Sequence, residues 1–153
     1  MGKETERKFL VKGEFIHLAV RSYNIIQRYL CVDETRAVRI RISDNKALIT
    51  IKGSPVQGSF SRAEWEIPVN IKEAEGIMKL CLPGIIEKTR YVIPAGKHFF
   101  EVDVFHGSNE GLIVAEIELE SEDEKFERPE WLGKEVTGDP RYYNSSLIKQ
   151  SIS

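Results

Sequence analysis

Apolar and polar residues alternate along most of this chain with a period of two, the repeat of an extended strand whose successive side chains face opposite ways. The pattern predicts strands over Lys3–Val11, Tyr23–Val32, Ala37–Ser43, Ala47–Lys52, Phe60–Ile67, Ile86–Ile93, His98–Phe105 and Leu112–Leu119. Turn residues separate them at Ser43-Asp44-Asn45, Gly53-Ser54-Pro55, Pro94-Ala95-Gly96 and Gly107-Ser108-Asn109. Eight strands at this spacing read as a meandering antiparallel sheet. Helices are expected over Glu14–Val20, over Ile71–Leu80 behind the N-cap Asn70, and over Pro140–Ser151 behind Asp139 with Pro140 at the first helical position. There is no internal repeat or linker, so residues 1–153 are expected to form one domain.

The polar half of the alternation is almost wholly ionic. Arg39 and Arg41 share one face against Val38, Ile40 and Ile42, and Arg62, Glu64 and Glu66 oppose Ala63, Trp65 and Ile67. Lys88 pairs with Arg90, Glu101 with Asp103, and Glu116 and Glu118 with Glu120, while Lys52 follows Leu48 and Thr50. The opening "KETERKFL" places Glu4, Glu6 and Lys8 in the same phase. One such strand is a sheet with a wet face, but here seven strands carry long ions in step. Eight strands suffice to close a barrel. Closing this one turns the ions into the lumen and the apolar residues outward, under the helices.

Charges gathered out of bulk water are costly unless paired or bound to a ligand, so this lumen reads as a site rather than a core. Converging lysines and arginines suit a polyanion bearing several phosphates. Clustered carboxylates suit a hard divalent cation shared with those phosphates. Together these are the two halves of a phosphoryl-transfer site. Carboxylates also repel one another, so neutralising Glu116 is expected to leave the ligand-free fold intact or steadier. No GxxxxGK loop is present, which excludes P-loop cradling. Among aromatic residues, only Phe60 and Phe105 are expected to follow the inward register.

The net charge of −2 offers no global pull toward nucleic acid or an anionic membrane, so neither is expected as a partner. No apolar run approaches the roughly 20 residues of a membrane span, and the N-terminus lacks a signal pattern. Cys31 and Cys81 have no metal or redox spacing and read as reduced core residues of a cytoplasmic protein. His17, His98 and His106 read as surface or loop residues.

Glu4-x-Glu6-x-Lys8 resembles the N-terminal ExExK signature of the CYTH superfamily, the triphosphate tunnel metalloenzymes. The likeness continues in order through Arg39-x-Arg41, Lys52, Arg62-x-Glu64-x-Glu66, Lys88-x-Arg90, Glu101-x-Asp103, Glu116-x-Glu118 and the ending "EVTGDPRYYNSSL". The resemblance implies a mainly β fold: an eight-stranded antiparallel closed tunnel with a charged lumen and a few flanking helices. It implies Glu4, Glu6, Glu116 and Glu118 as ligands of Mg²⁺ or Mn²⁺, with Glu64 and Glu66 as weaker candidates. Lys8, Arg39, Arg41, Lys52, Arg62, Lys88 and Arg90 would hold phosphates. The short bacterial members imply Tyr29 as proton acceptor, and Lys8 is taken with it as catalytic.

Family members include adenylate cyclases, thiamine triphosphatases, RNA 5′-triphosphatases and inorganic triphosphatases. The chain is little longer than the tunnel and has few residues left for a base or thiamine pocket. Trp65 falls on the outward face, leaving Trp131 as the other tryptophan that could stack a base. The expected activity is therefore metal-dependent hydrolysis of inorganic triphosphate, with weaker action on nucleoside triphosphates, by a monomer or homodimer. The alternatives are an adenylate cyclase, a thiamine triphosphatase and a non-catalytic polyphosphate- or nucleotide-binding module.

Overall fold

The alternating segments pair antiparallel with their neighbours until the sheet meets itself. A computed structural model describes residues 2–54 and 61–150, with the side chains of all of these except residues 2–4, 145, 149 and 150. Its strands are β1 (Gly2–Val11), β2 (Arg21–Val32), β3 (Arg36–Ser43), β4 (Lys46–Gly53), β5 (Ser61–Val69), β6 (Ile86–Ala95), β7 (His98–Phe105), β8 (Ile113–Leu119) and β9 (Leu132–Glu135). Their order is β5-β4-β3-β2-β6-β7-β8-β1-β9, and β5 also pairs with β1. That last pairing, with Glu4 opposite Arg62 and Thr5 opposite Ser61, closes an eight-stranded barrel. The fold is mainly β, as the pattern implies.

Turn chemistry fits the hairpins. Asp44 takes φ +52°, the left-handed conformation that Asp tolerates in the two-residue link from β3 to β4. Gly96, at φ +64°, turns β6 into β7.

The barrel is inverted, with its largest apolar clusters on the outer wall. Phe9, Phe100, Val102, Ala115 and Ile117 project outward and are covered by Phe15, Trp131 and Leu132. Fully burying each of the larger side chains contributes roughly 1.5–3 kcal/mol. A second outer cluster packs α1 (Ile71–Met78) through Ala74 and Ile77 onto Ile40, Ala47 and Ile49. A third lies at one end of the barrel, where Leu147 and Ile148 of α2 (Asn144–Gln150) meet Tyr29, Ile86, Phe105 and Val114.

Several expectations are corrected. Strand β9 was not foreseen, because "WLGKE" is short and centred on a glycine. That glycine is required: a Cβ on Gly133 would stand 2.8 Å from the Leu10 carbonyl oxygen. Arg7 secures β9 through Nε and Nη2 to the Glu135 carboxylate, at 2.8 and 2.6 Å. The helix expected over Glu14–Val20 reduces to a 3₁₀ turn at Ile16–Leu18, which has no side-chain cap and is anchored in the core by the residues flanking it, Phe15 and Ala19. The C-terminal helix is broken: Asp139 caps a 3₁₀ turn at Pro140–Tyr142, Tyr143 is extended, and α2 begins at Asn144. Asn70 does cap α1, accepting from the backbone N–H of Lys72 at 2.7 Å, but the helix ends at Met78. Cys31 is exposed rather than core, and both thiols are free. His98 opens β7, with Nε2 2.5 Å from Glu124 Oε2. Phe60 and most of the Gly53–Ser59 loop lie outside the described residues. No described helix is long and apolar enough to cross a membrane.

Candidate active site: a charged lumen

Because strand side chains alternate, one parity of every barrel strand projects inward, and the ionic parity lines a cavity of about 300 Å³. Six cations enter it: Lys8, Arg39, Arg41, Lys52, Arg62 and Arg90. Among the described side chains, six carboxylates enter it as well: Glu6, Glu64, Glu66, Glu101, Glu116 and Glu118. Cross-strand register sets opposite signs face to face at Lys8 and Glu116 and at Lys52 and Glu64, but sets two carboxylates together at Glu6 and Glu118. On the cationic wall, Arg39 lies opposite Tyr29 and Arg41 opposite Gln27.

Asp103 organises the densest part of the wall. Its carboxylate accepts from Arg90 Nε at 2.7 Å and Nη2 at 2.9 Å, and its Oδ2 lies 2.7 Å from Lys88 Nζ. Lys88 was expected to bind phosphate, but it does not reach the cavity. Its side chain is fully buried behind Arg90, with the ammonium 5.3 Å from the centroid of the Phe105 ring. Burial, which outweighs the attraction of Asp103, pushes the Lys88 ammonium down to about 7. Arg90 behaves oppositely: burial disfavours its charge, but Asp103 and its hydrogen bonds raise it well above the ordinary value.

Among the described residues, no carboxylate pairs with Arg41 in a comparable way. Its Nε donates to the Gln27 side-chain oxygen at 3.1 Å, and burial with the nearby Arg39 and Arg90 pushes it down to about 9. A cation held in place without a matching anion is what a polyanion site requires. Glu116 is the converse. Burial opposes its charge, but Lys8, a hydrogen bond with Glu6, Lys88 and Arg90 together hold it well below the usual carboxylate range. Lys8 Nζ lies 3.7 Å from Glu116 Oε1 and donates to the Tyr142 carbonyl at 3.1 Å. These surroundings reverse the expected sign for Glu116, whose charge is supported rather than repelled.

The candidate metal ligands Glu6, Glu64, Glu66, Glu116 and Glu118 all line the cavity. The Glu4 side chain lies outside the described residues, although its backbone in β1 faces Arg62 across the closing seam. Among the described residues, no three acidic, histidine or cysteine side chains form a group arranged to hold a metal by themselves. Glu120 leaves the inward set: it is exposed past the end of β8.

Tyr29 is buried at the lumen's inner end. Leu48, placed by the sequence on the face of Lys52, lines the cavity, while sequence reasoning missed Tyr23, Ala37, Ser43, Tyr143 and Asn144, which also line it. Tyr23 shares the parity of Tyr29 on β2 and could have been found by counting in twos from it. Tyr143 and Asn144 sit where the C-terminal chain breaks between its two helical turns, a break that composition does not signal.

Comparison with known proteins places this architecture. A curated inorganic triphosphatase from Acetivibrio thermocellus is 43% identical over 150 residues, covering 97% of this chain and 95% of that protein. An inorganic triphosphatase from Nitrosomonas europaea is 36% identical, covering 94% and 95%. A crystal structure of an inorganic triphosphatase superposes with a TM-score of 0.64 at 32% identity, covering 97% of this chain and 95% of that one. The CYTH domain model matches residues 2–151, and the chain belongs to the CYTH family.

Proposed function

We propose that the protein hydrolyses inorganic triphosphate to phosphate and diphosphate within the lumen. The observation that carries this reading is the convergence, among the described side chains, of six cations and six carboxylates from seven of the eight barrel strands on one small cavity, the remaining strand, β2, adding Tyr23 and Tyr29. Two relatives that share nearly the whole chain are named for this activity. Lys8, Arg39, Arg41, Lys52, Arg62 and Arg90 bind the non-bridging phosphate oxygens and neutralise charge that develops on them as the terminal P–O–P bond breaks. Tyr29 takes the proton of the attacking water at the inner end, where Arg39 faces it across the strands. Asp103 and Lys88 serve behind this surface: Asp103 fixes the Arg90 guanidinium by two hydrogen bonds, leaving Nη1 toward the lumen, 3.4 Å from Glu101.

The carboxylates fit a hard divalent cation, Mg²⁺ or Mn²⁺. Glu6 on β1 and Glu116 and Glu118 on β8 line the cavity side by side across one strand seam and offer only oxygen ligands. Mg²⁺ takes one or two carboxylates and completes its shell with phosphate and water oxygens, which suits a set that forms no closed cage. Glu6, Glu116 and Glu118 would hold the ion, with Glu4, Glu64 and Glu66 beside them. When bound, it supplies charge neutralisation at the phosphate oxygens.

The test is initial-rate phosphate release from triphosphate, ATP and thiamine triphosphate, with cyclic AMP assayed in parallel. Triphosphate is expected to lead. Cyclic AMP formed from ATP at a comparable rate would transfer the assignment to a cyclase, and binding without turnover would transfer it to a binding module.

A further inference from the structure

The lumen opens, at the end away from α2, into a second cavity of about 500 Å³ that shares Glu101, Glu116 and Glu118 with it. The outer part of this antechamber has a different chemistry, with apolar walls from Val20, Val92 and Phe99 and cations at Arg21 and Lys97. Phe99, not among the aromatic residues expected inward, shares the parity of Glu101 and Asp103 on β7 and lines this cavity beside Glu101, so the strand that carries the carboxylates ends in an aromatic ring. Phe99 is 57% exposed and Val20 64%, so both present open apolar surface beside the ionic site. Both tryptophans are unavailable for stacking in the lumen, since Trp131 is buried in the outer core and Trp65 is on the outer wall.

From these placements the geometry points to a subsite for the organic group of a triphosphate monoester. An aromatic base would lie against Phe99 and Val20, while its phosphate chain enters past Glu101 and Glu118. Arg90 pairs with Asp103, four residues deeper on β7 than Phe99 and thus about 13 Å along the strand. A chain held at its terminal phosphate by Arg41 and Arg90 therefore brings its ester end out toward the antechamber. Arg21 and Lys97 offset the carboxylates there for the incoming anion. Inorganic triphosphate has nothing to place in this subsite, so Phe99 discriminates between substrates without touching the phosphates.

This inference rests on the triphosphatase reading, and the two are separable by experiment. Calorimetric binding of the non-hydrolysable β,γ-imido analogue of ATP is compared between the wild type and Phe99→Ala, alongside kcat/KM for inorganic triphosphate. Loss of a stacking platform is expected to weaken the analogue about tenfold. Triphosphate turnover should stay within about twofold, which also reports that the variant folds, and Phe99→Trp should retain analogue binding. Equal analogue affinity in wild type and Phe99→Ala, no analogue binding by the wild type, or a parallel loss for both ligands overturns the subsite. Absence of triphosphate turnover in the wild type overturns the triphosphatase reading instead, while the calorimetry still decides the subsite.

Discussion

Replacing Arg41 by Gln should make the ligand-free protein more stable and the enzyme much worse. Burial, with Arg39 and Arg90 nearby, pushes Arg41 well below its ordinary value, to about 9. At 1.36 kcal/mol per pH unit, this is up to ~5 kcal/mol against holding its charge in the empty lumen. Arg41 is protonated both folded and unfolded at neutral pH, so this strain is fully present from pH 6 to 8. It fades only as pH rises above about 9, where the folded state begins to release its proton. Gln removes the charge, and its amide can still donate to Gln27 Oε1, which otherwise costs about 1–3 kcal/mol when left unpaired. Allowing for lost packing and solvent relaxation, a net gain of about 1–3 kcal/mol raises Tm by roughly 3–10 °C for a chain of this size. The charge-assisted phosphate contacts vanish, and kcat/KM for triphosphate should fall roughly 10²-fold. Thermal unfolding by circular dichroism without ligand, with parallel kinetics, reads both effects. A lower Tm with unimpaired kcat/KM would refute the view of Arg41 as a cation strained for the sake of a polyanion.

Further outcomes follow from the same surroundings. Lys88 has a folded-state value of about 7 against 10.5 ordinarily, so between these pH values the unfolded chain holds a proton that the folded chain has lost. Stability therefore rises with pH across that window, by at most ~1.36 kcal/mol per unit from this group, and Lys88→Met should flatten the rise in denaturant titrations at pH 6 to 9. The depressed Glu116 contributes stability above its unfolded value near 4.5 that is lost as pH falls below it. Glu116→Gln should accordingly lower Tm at pH 7 and abolish turnover; a raised Tm would return the repelling-carboxylate picture. In kcat/KM, triphosphate should exceed ATP, and ATP should exceed pyrophosphate, whose shorter chain cannot reach both ends of the cation set. Efficient pyrophosphate cleavage would contradict that geometry.

The barrel was legible because a period of two survives even in strands as different as "AVRIRIS" and "AEIELES", and because ions rather than serines filled the polar phase. Residues lining the lumen were legible for the same reason, since parity alone assigns Arg39, Glu64 or Glu118 to the inner face. Depth was not legible. Parity places Lys88 and Arg90 together, yet only the packing of Phe105 and Asp103 withdraws Lys88 into the wall. The sign of the electrostatics was equally hidden, because Glu116 answers to Lys8 across the β1–β8 seam rather than to its own strand. Strand β9 and the lumen-lining Tyr143 and Asn144 escaped because short segments held by tertiary contacts carry no period.

The central claim is that this lumen gathers its ions to cleave triphosphate. Phosphorus NMR of inorganic triphosphate incubated with the protein and Mg²⁺ tests it most directly. Equimolar phosphate and diphosphate should appear and stop on addition of a chelator; triphosphate left intact at saturating Mg²⁺ and Mn²⁺ would contradict it.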